Sequence, residues 1–434
     1  MTIGSGTAAD AVRPSPAAPL LRDTAADVRA VRTPYLLLAL IGLGGLFNGV
    51  TGPLVSAFIP PLVQDVLGDR RTAIGVVMTI DNVLLLLLVP WAGAASDRSA
   101  SRYGRLPLVV AGLLLASVGM AMIPWAGTAG LAGLVAALVV LHTGTNLPRA
   151  PFQALLADAV PSRFRSLASA SGTFQMCVSA IAFLMLGQVF GMRTAFLAAA
   201  VTVLVVNLAI VVGLHARSGL TAQASDPSYR SLIDAVRAAV AGAVPGLRSV
   251  FIASFLLQLT FQTFTTWYSL HGTERFAVAP EAVTSGMIAW AMGGVIGALP
   301  AGAIGVRLGR RAAMLLGFAL MAAVLVALDR VSSMTVATPL LALASACWTL
   351  PMANAFPMFV EPIPREHRGV LAALFLLSMA LGGAIGDPLN GSLFDLFGGY
   401  RPLFLMMSAY TALAFVVVLL VPRGAGEASA DAHT

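Results

Sequence analysis

The sequence predicts an all-α polytopic membrane protein, with twelve transmembrane helices in two pseudo-symmetric six-helix halves. Three observations carry that prediction. Of 434 residues, 58% are apolar and only 10% are charged, a balance that suits burial in lipid. The apolar residues gather into runs of membrane length, separated by short loops that hold nearly all the arginines. Motifs of the first half also recur in the second at a constant offset, the signature of an internal repeat.

Composition also excludes several classes. The net charge of +7 comes from arginines alone, since the chain contains no lysine. These arginines sit in short loops between apolar runs, so no nucleic-acid partner is implied. Without lysine there is no Walker-type phosphate loop and no Schiff-base chemistry. The five histidines are scattered, with no HExxH and no paired acids in a loop, so no membrane-embedded enzyme and no cofactor are expected. Cys177 and Cys347 both fall inside apolar runs and form no disulfide framework.

In chain order, residues 1–34 are rich in alanine and proline and lack the apolar stretch of a signal peptide, so they read as a disordered cytoplasmic tail. Twelve spans are then expected at 35–60, 73–95, 107–125, 130–157, 167–190, 194–214, 249–270, 282–305, 312–328, 336–360, 369–394 and 402–422. They divide into an N-terminal half at 35–214 and a C-terminal half at 249–422, followed by a cytoplasmic tail at 423–434. Between the halves, 215–248 is a cytoplasmic linker. Within it SDPSYRSLIDAVRAAV reads as an amphipathic helix capped by Asp226 or Ser228, with Leu232, Ile233, Val236 and Val240 on one face. The Gly45/Gly49 and Gly293/Gly297 pairs mark close helix packing. Loops on the N-terminal side hold 19 arginines, those on the opposite side 6, and Arg149 lies within a span. That asymmetry places both termini in the cytoplasm, at the plasma membrane of a cell.

Residues 91–106, WAGAASDRSASRYGRL, join spans two and three. The spacing Gly93-x-x-x-Asp97-Arg98, closing on Gly104-Arg105, resembles the loop motif between helices two and three of the major facilitator superfamily. The inserted SASRY resembles its glycoside–cation symporter and sucrose-transporter-like branch. In the second half Gly302-AIG-Val306-Arg307-Leu308-Gly309-Arg310-Arg311 repeats the motif, with valine in place of Asp97. Asp158, Pro161 and Arg165 after span four recur as Glu361, Pro364 and Arg368 after span ten, all offset by 203 residues, as are Pro148 and Pro351. The resemblance implies that these loops lock the cytoplasmic side when the site faces outward. The gate set is Asp97, Arg98, Arg102, Arg105, Asp158, Arg165, Arg307, Arg310, Arg311, Glu361 and Arg368. The plainer alternative is that the arginines only set topology.

Polar groups at depth cost energy and face a cavity or a partner. On span four His142, Asn146, Arg149 and Gln153 are spaced to share one helical face. Gln258 and Gln262 share a face of span seven, continued by Thr266. Asn48 of span one and Trp348 of span ten fall at similar depth. The resemblance implies that spans one, four, seven and ten line the cavity, which makes Asn48, Asn146, Arg149, Gln258, Gln262 and Trp348 the substrate-binding candidates. Asp81 and Asp387 stand apart with His142 as coupling or outer-gate candidates. Counted along their helices, the two acids differ in height by roughly 3 Å, so they are expected to meet between spans two and eleven, where only one stays charged. Alternatively, Asp387 before Pro388 caps a restarted turn. The deeper carboxylates of melibiose-type members are missing, which speaks against sodium.

The expected function is secondary active transport of a small polar solute, sugar-like by resemblance, by alternating access and with a proton as coupling ion. Its partners are the solute, the proton and the bilayer, and the chain is expected to act as a monomer, with no metal. An exporter of amphipathic compounds is the alternative, and a non-transporting sensor is a third.

Overall fold

The computed structural model describes residues 35–99, 106–152, 165–215, 247–360 and 368–421. Its architecture is all-helical, with twelve spans in two halves of six. Span one is Tyr35–Leu67, and span two is Arg71–Met78 followed by Ile80–Ser99, with Thr79 between them still bonded to Gly75 and Val83. Span three is Leu106–Ala126 and span four Gly130–Asn146. Spans five and six form one helical run, Arg165–His215, broken only where Gly191 takes φ 80°. Spans seven to twelve are Leu247–Phe276, Pro280–Leu308, Arg310–Arg330, Met334–Val360, Arg368–Phe397 and Leu403–Leu419. The expected tails, the linker helix at 226–240, Gln153, Arg102, Arg105, Asp158 and Glu361 lie outside the described residues.

Several expected boundaries move for physical reasons. Span one runs on to Leu67 through Pro53, Pro60 and Pro61, because neighbouring helices hold its backbone where proline removes a donor. Span four turns at Leu147–Pro148 and is helical again over 149–152, and the remainder of its expected length lies outside the described residues. Proline cannot donate to the preceding turn, so the helix breaks where Pro148 stands. The break between spans five and six is a single glycine in the left-handed region, not a loop.

The helices interlock as a repeat. A side chain at Gly112 of span three would meet Pro148 of span four, and one at Gly317 of span nine would meet Pro351 of span ten. Span one packs its Gly45 and Gly49 on span five, at Gly172 and Met176, and span eight packs Gly293 and Gly297 on span ten, at Ala342 and Ala346. Both glycine pairs are thus helix contacts. Buried hydroxyls bond back to their own helix, as Thr51 does to Phe47, Ser254 to Val250 and Thr411 to Met407. Span six exposes Val201, Leu204, Val205, Leu208 and Val212, an apolar stripe at helical spacing that suits lipid.

The turns at Gly68, Gly130, Gly191 and Gly398 lie at one end of the molecule, called the far end below. The near end carries the ends of spans two, four, six, eight, ten and twelve. At the far end the halves touch through spans two and eleven. Thr79 Oγ1 donates to the Ala384 carbonyl at 3.3 Å, and a side chain at Gly75 would strike the Asp387 carbonyl. Gly383 lies against Asn82 and Gly391 against the Arg71 carbonyl. Ser269 of span seven, buried, reaches the Ser56 carbonyl of span one at 3.5 Å.

Candidate functional site

Span two turns Asp81 towards span four, where one carboxylate oxygen gathers two partners. Asn146 Nδ2 donates to Asp81 Oδ1 at 2.8 Å, and also to the His142 carbonyl of its own helix at 3.0 Å. His142 Nδ1 lies 3.0 Å from the same Oδ1, and as an N–H it donates there. The i to i+4 spacing of His142 and Asn146 is what presents both to one acid. His142 and Asn146 are buried, whereas the Asp81 side chain is 34% exposed. Arg149, past the turn at Pro148, is exposed and near enough for its charge to act on Asp81. His142, Asn146 and Arg149 of span four thus gather round Asp81, with Asn146 bridging the substrate and coupling candidates.

The second half builds its own cluster. Gln262 Nε2 donates to Asp387 Oδ2 at 2.9 Å and lies 3.1 Å from the Thr266 hydroxyl. Asp387 is fully buried, and its Oδ1 has no hydrogen-bond partner. One turn along, Asn390 donates to Thr263 Oγ1 at 2.8 Å and accepts from the Tyr410 hydroxyl at 2.8 Å. Trp348 stacks on Phe261 with ring centroids 5.0 Å apart, and its indole nitrogen is buried without a partner. Gln258 packs beside Gly382 of span eleven. Asn48 is exposed and donates to the Gly44 carbonyl of its own helix, at 3.0 Å.

The two acids do not meet as expected. Each bonds within its own half, Asp81 to span four and Asp387 to span seven, although their charges lie near enough to interact. The register set by Thr79 on Ala384 and Gly75 on Asp387 puts Asp387 roughly 5–9 Å nearer the far end than Asp81, not 3 Å. Equal counts from the loop ends leave out this register, which the contacts of Gly75 and Thr79 with span eleven set. Nor does Asp387 cap a restarted helix: it lies inside the continuous Arg368–Phe397, with Pro388 in the helix interior.

Of the gate candidates, Arg311 bonds the Val418 and Leu419 carbonyls at 3.3 and 3.0 Å. It closes the end of span twelve in its own half. Arg307 is exposed in the last turn of span eight, and Arg310 opens span nine. Asp97 and Arg98 belong to the last turn of span two, and Arg165 and Arg368 begin spans five and eleven.

Residues that sequence reasoning passed over hold the far end. Asp395 accepts from the Arg71 and Thr72 backbone N–H groups at 3.1 and 2.8 Å and from the Thr72 hydroxyl at 2.6 Å. The Arg71 guanidinium lies 3.8 Å from Asp395 and 5.0 Å above the Tyr400 ring centroid. Tyr400 is pinned in turn: its carbonyl meets His271 Nδ1 at 2.8 Å and its N–H donates to Glu274 at 3.1 Å. Asn390 and Asp395 do stand near Asp387 in GDPLNGSLFD, but nothing in the sequence tells which helix they face.

Two six-helix halves, packed as a repeat around a polar cluster in mid-span, define a polytopic membrane protein of the transporter architecture. The profile of the Major Facilitator Superfamily matches residues 41–304 and 250–433, and the chain belongs to that family, whose members are transporters. No curated protein matches it in sequence. Among solved structures it is similar to a bacterial homolog of the human lysosomal transporter Spinster in an inward-facing and occupied conformation. That likeness has a TM-score of 0.69 at 14% identity and covers 90% of this chain and 97% of that one. It is also similar to the nucleoside transporter NupG, with a TM-score of 0.67 at 13% identity over 89% and 100% of the two chains. A D-xylose–proton symporter gives 0.66 at 13% identity over 89% and 98%. At these identities the likeness establishes the fold.

Proposed function

We propose that this protein is a secondary transporter that carries a small polar solute by alternating access, with a proton as the coupling ion. One observation carries the coupling: Asp387 is fully buried, is held by the neutral Gln262 amide with the Thr266 hydroxyl beside it, and leaves Oδ1 unpartnered. An ionised carboxylate in such a place costs several kcal/mol unless a cation joins it. A proton on Asp387 removes that cost while the far end is shut, and opening that end returns the group to water, where it ionises.

The solute sits between the Asp81–His142–Asn146 cluster and the Phe261–Trp348 wall, with Arg149 at its near-end rim and Asn48, Gln258 and Gln262 completing the lining. Amides and a guanidinium favour hydroxyl or carboxylate groups, and a ring face favours a sugar or base ring. Two neighbours in fold, a nucleoside transporter and a D-xylose–proton symporter, are in keeping with such a solute. So is the resemblance to the glycoside–cation and sucrose-transporter-like branch. The near end, with its arginine-rich loops, faces the cytoplasm of a plasma membrane, and the acid–arginine loops at that end gate it.

Counterflow of labelled glycosides, pentoses and nucleosides in proteoliposomes tests this reading. The protein exchanges at least one of them, and Asn146→Ala and Arg149→Ala each lose that exchange while remaining folded. Exchange at wild-type rate in both variants would place the solute elsewhere.

A further inference from the structure

The far-end junction of spans two and eleven contains a device that the transport reading does not use. The N-terminal turn of span two has no cap of its own: Arg70 makes no side-chain capping bond. The first N–H groups of a helix need an acceptor; that of Arg71 is shared between the Asp69 carbonyl at 3.0 Å and the other half, and that of Thr72 goes to the other half. Asp395 of span eleven takes the N–H groups of Arg71 and Thr72, one on each carboxylate oxygen, together with the Thr72 hydroxyl. The carboxylate also meets the positive end of the helix dipole and the Arg71 guanidinium. Arg71 in turn lies over Tyr400, which His271 and Glu274 of span seven hold by its backbone. Glycine at 391 lets the Arg71 carbonyl come this close.

We propose that Asp395 is a latch, which shuts the far end by capping span two across the boundary between the halves. It is matched to that task. An N-cap is strong enough to bias an equilibrium and weak enough to break in every cycle, and its donors pass to water once the halves part. The latch is also one-sided. Span eight, the repeat counterpart of span two, starts at Pro280 with Ala279 before it and no side-chain cap. Its first N–H is already removed by proline.

This inference rests on the alternating-access reading, and a direct measurement of opening separates the two. Spin labels go on the exposed far-end residues Ala129 and Ser332, one per half, in a background with Cys177→Ser and Cys347→Ala. Pulsed dipolar spectroscopy then reads the distance across the far end. In Asp395→Ala the ratio of open to closed populations rises about twofold to thirtyfold, the effect of losing one N-cap. Asp395→Asn keeps an acceptor oxygen and gives a smaller rise, while Ser392→Ala, 3.4 Å from Thr72, leaves the ratio near wild type. A wild-type ratio in Asp395→Ala overturns the latch, and if that variant does not fold, a wild-type ratio in Asp395→Asn does so. A chain that opens on losing Asp395 yet exchanges no solute refutes the transport reading and leaves the latch standing. A competent exchanger whose far-end distances ignore Asp395 refutes the latch alone.

Discussion

Gly75→Ala is expected to push the protein towards the state in which the far end is open. Gly75 lies where span two crosses span eleven, and a Cβ there would overlap the carbonyl of Asp387. The obstacle is backbone inside a continuous helix, so no side-chain rotation relieves it, and the helices must separate. Overpacking of this kind costs about 1–3 kcal/mol, and it is paid only while the far end is shut. Alanine also improves helix propensity by about 1 kcal/mol, but equally in both states, so that gain cancels from their ratio. The open-to-closed ratio should therefore rise about fivefold to 150-fold. Ser269, 1% exposed and held against span one, reports on this when replaced by cysteine in a background lacking Cys177 and Cys347. In nanodiscs the Gly75→Ala protein should react with a thiol reagent faster by about that factor. An unchanged labelling rate would mean that spans two and eleven stay packed in every state, and the opening at this junction would have to be abandoned.

Other outcomes follow from the same contacts. Asn390→Ala leaves Thr263 and Tyr410 without their shared partner in a buried place and should cost about 2–4 kcal/mol, read as a lower unfolding temperature in detergent. Arg311→Ala removes two bonds to the last carbonyls of span twelve and should cost about 1–2 kcal/mol of stability with little change in exchange kinetics; altered exchange at unchanged stability would return Arg311 to the gate. The Asp395 carboxyl, beyond the apolar run of span eleven, is partly desolvated, which alone raises it. Bonds from Thr72 and Arg71 and the Arg71 charge outweigh that, and it is held below the ordinary value of 3.8. A depressed carboxyl contributes its stabilisation above the ordinary value and loses it only as pH falls through the lower folded one. With the Arg71 guanidinium beside it, and Tyr400 next in line among Asp69, Glu274 and His271, far-end distances in Asp387→Asn protein should stay flat between pH 5 and 8. A change in that window would implicate a group other than Asp395.

The fold was legible because lipid enforces it. Backbone groups in a bilayer must bond internally, so apolar runs become helices wherever they occur. The repeat was legible because Pro148 and Pro351 keep their offset, and each abuts a glycine of the preceding span. The candidate site was legible within single helices and obscure between them. The spacing of His142 and Asn146 announced a shared face, but their common partner Asp81 lies 61 and 65 residues earlier, and no periodicity links distant spans. Asp81 and Asp387 were misjudged for the same reason. Their heights followed from helix rise, but the register between spans two and eleven depends on how Gly75 and Thr79 meet span eleven. Asp395 and Arg71 were missed because an acid and an arginine at span ends read as ordinary solvated charges, and only the packed halves show that one caps the other's helix.

The central claim is that Asp387 carries the proton that couples transport. The most direct test is uptake of an exchanged solute into proteoliposomes under an imposed pH gradient, wild type beside Asp387→Asn. The amide keeps the shape and an acceptor oxygen for Gln262 but neither takes up nor releases a proton in the working pH range. The account predicts that wild type accumulates solute above the external concentration, while Asp387→Asn loses accumulation and still exchanges solute for solute. Accumulation by Asp387→Asn at the wild-type level, with the same pH dependence, would contradict it.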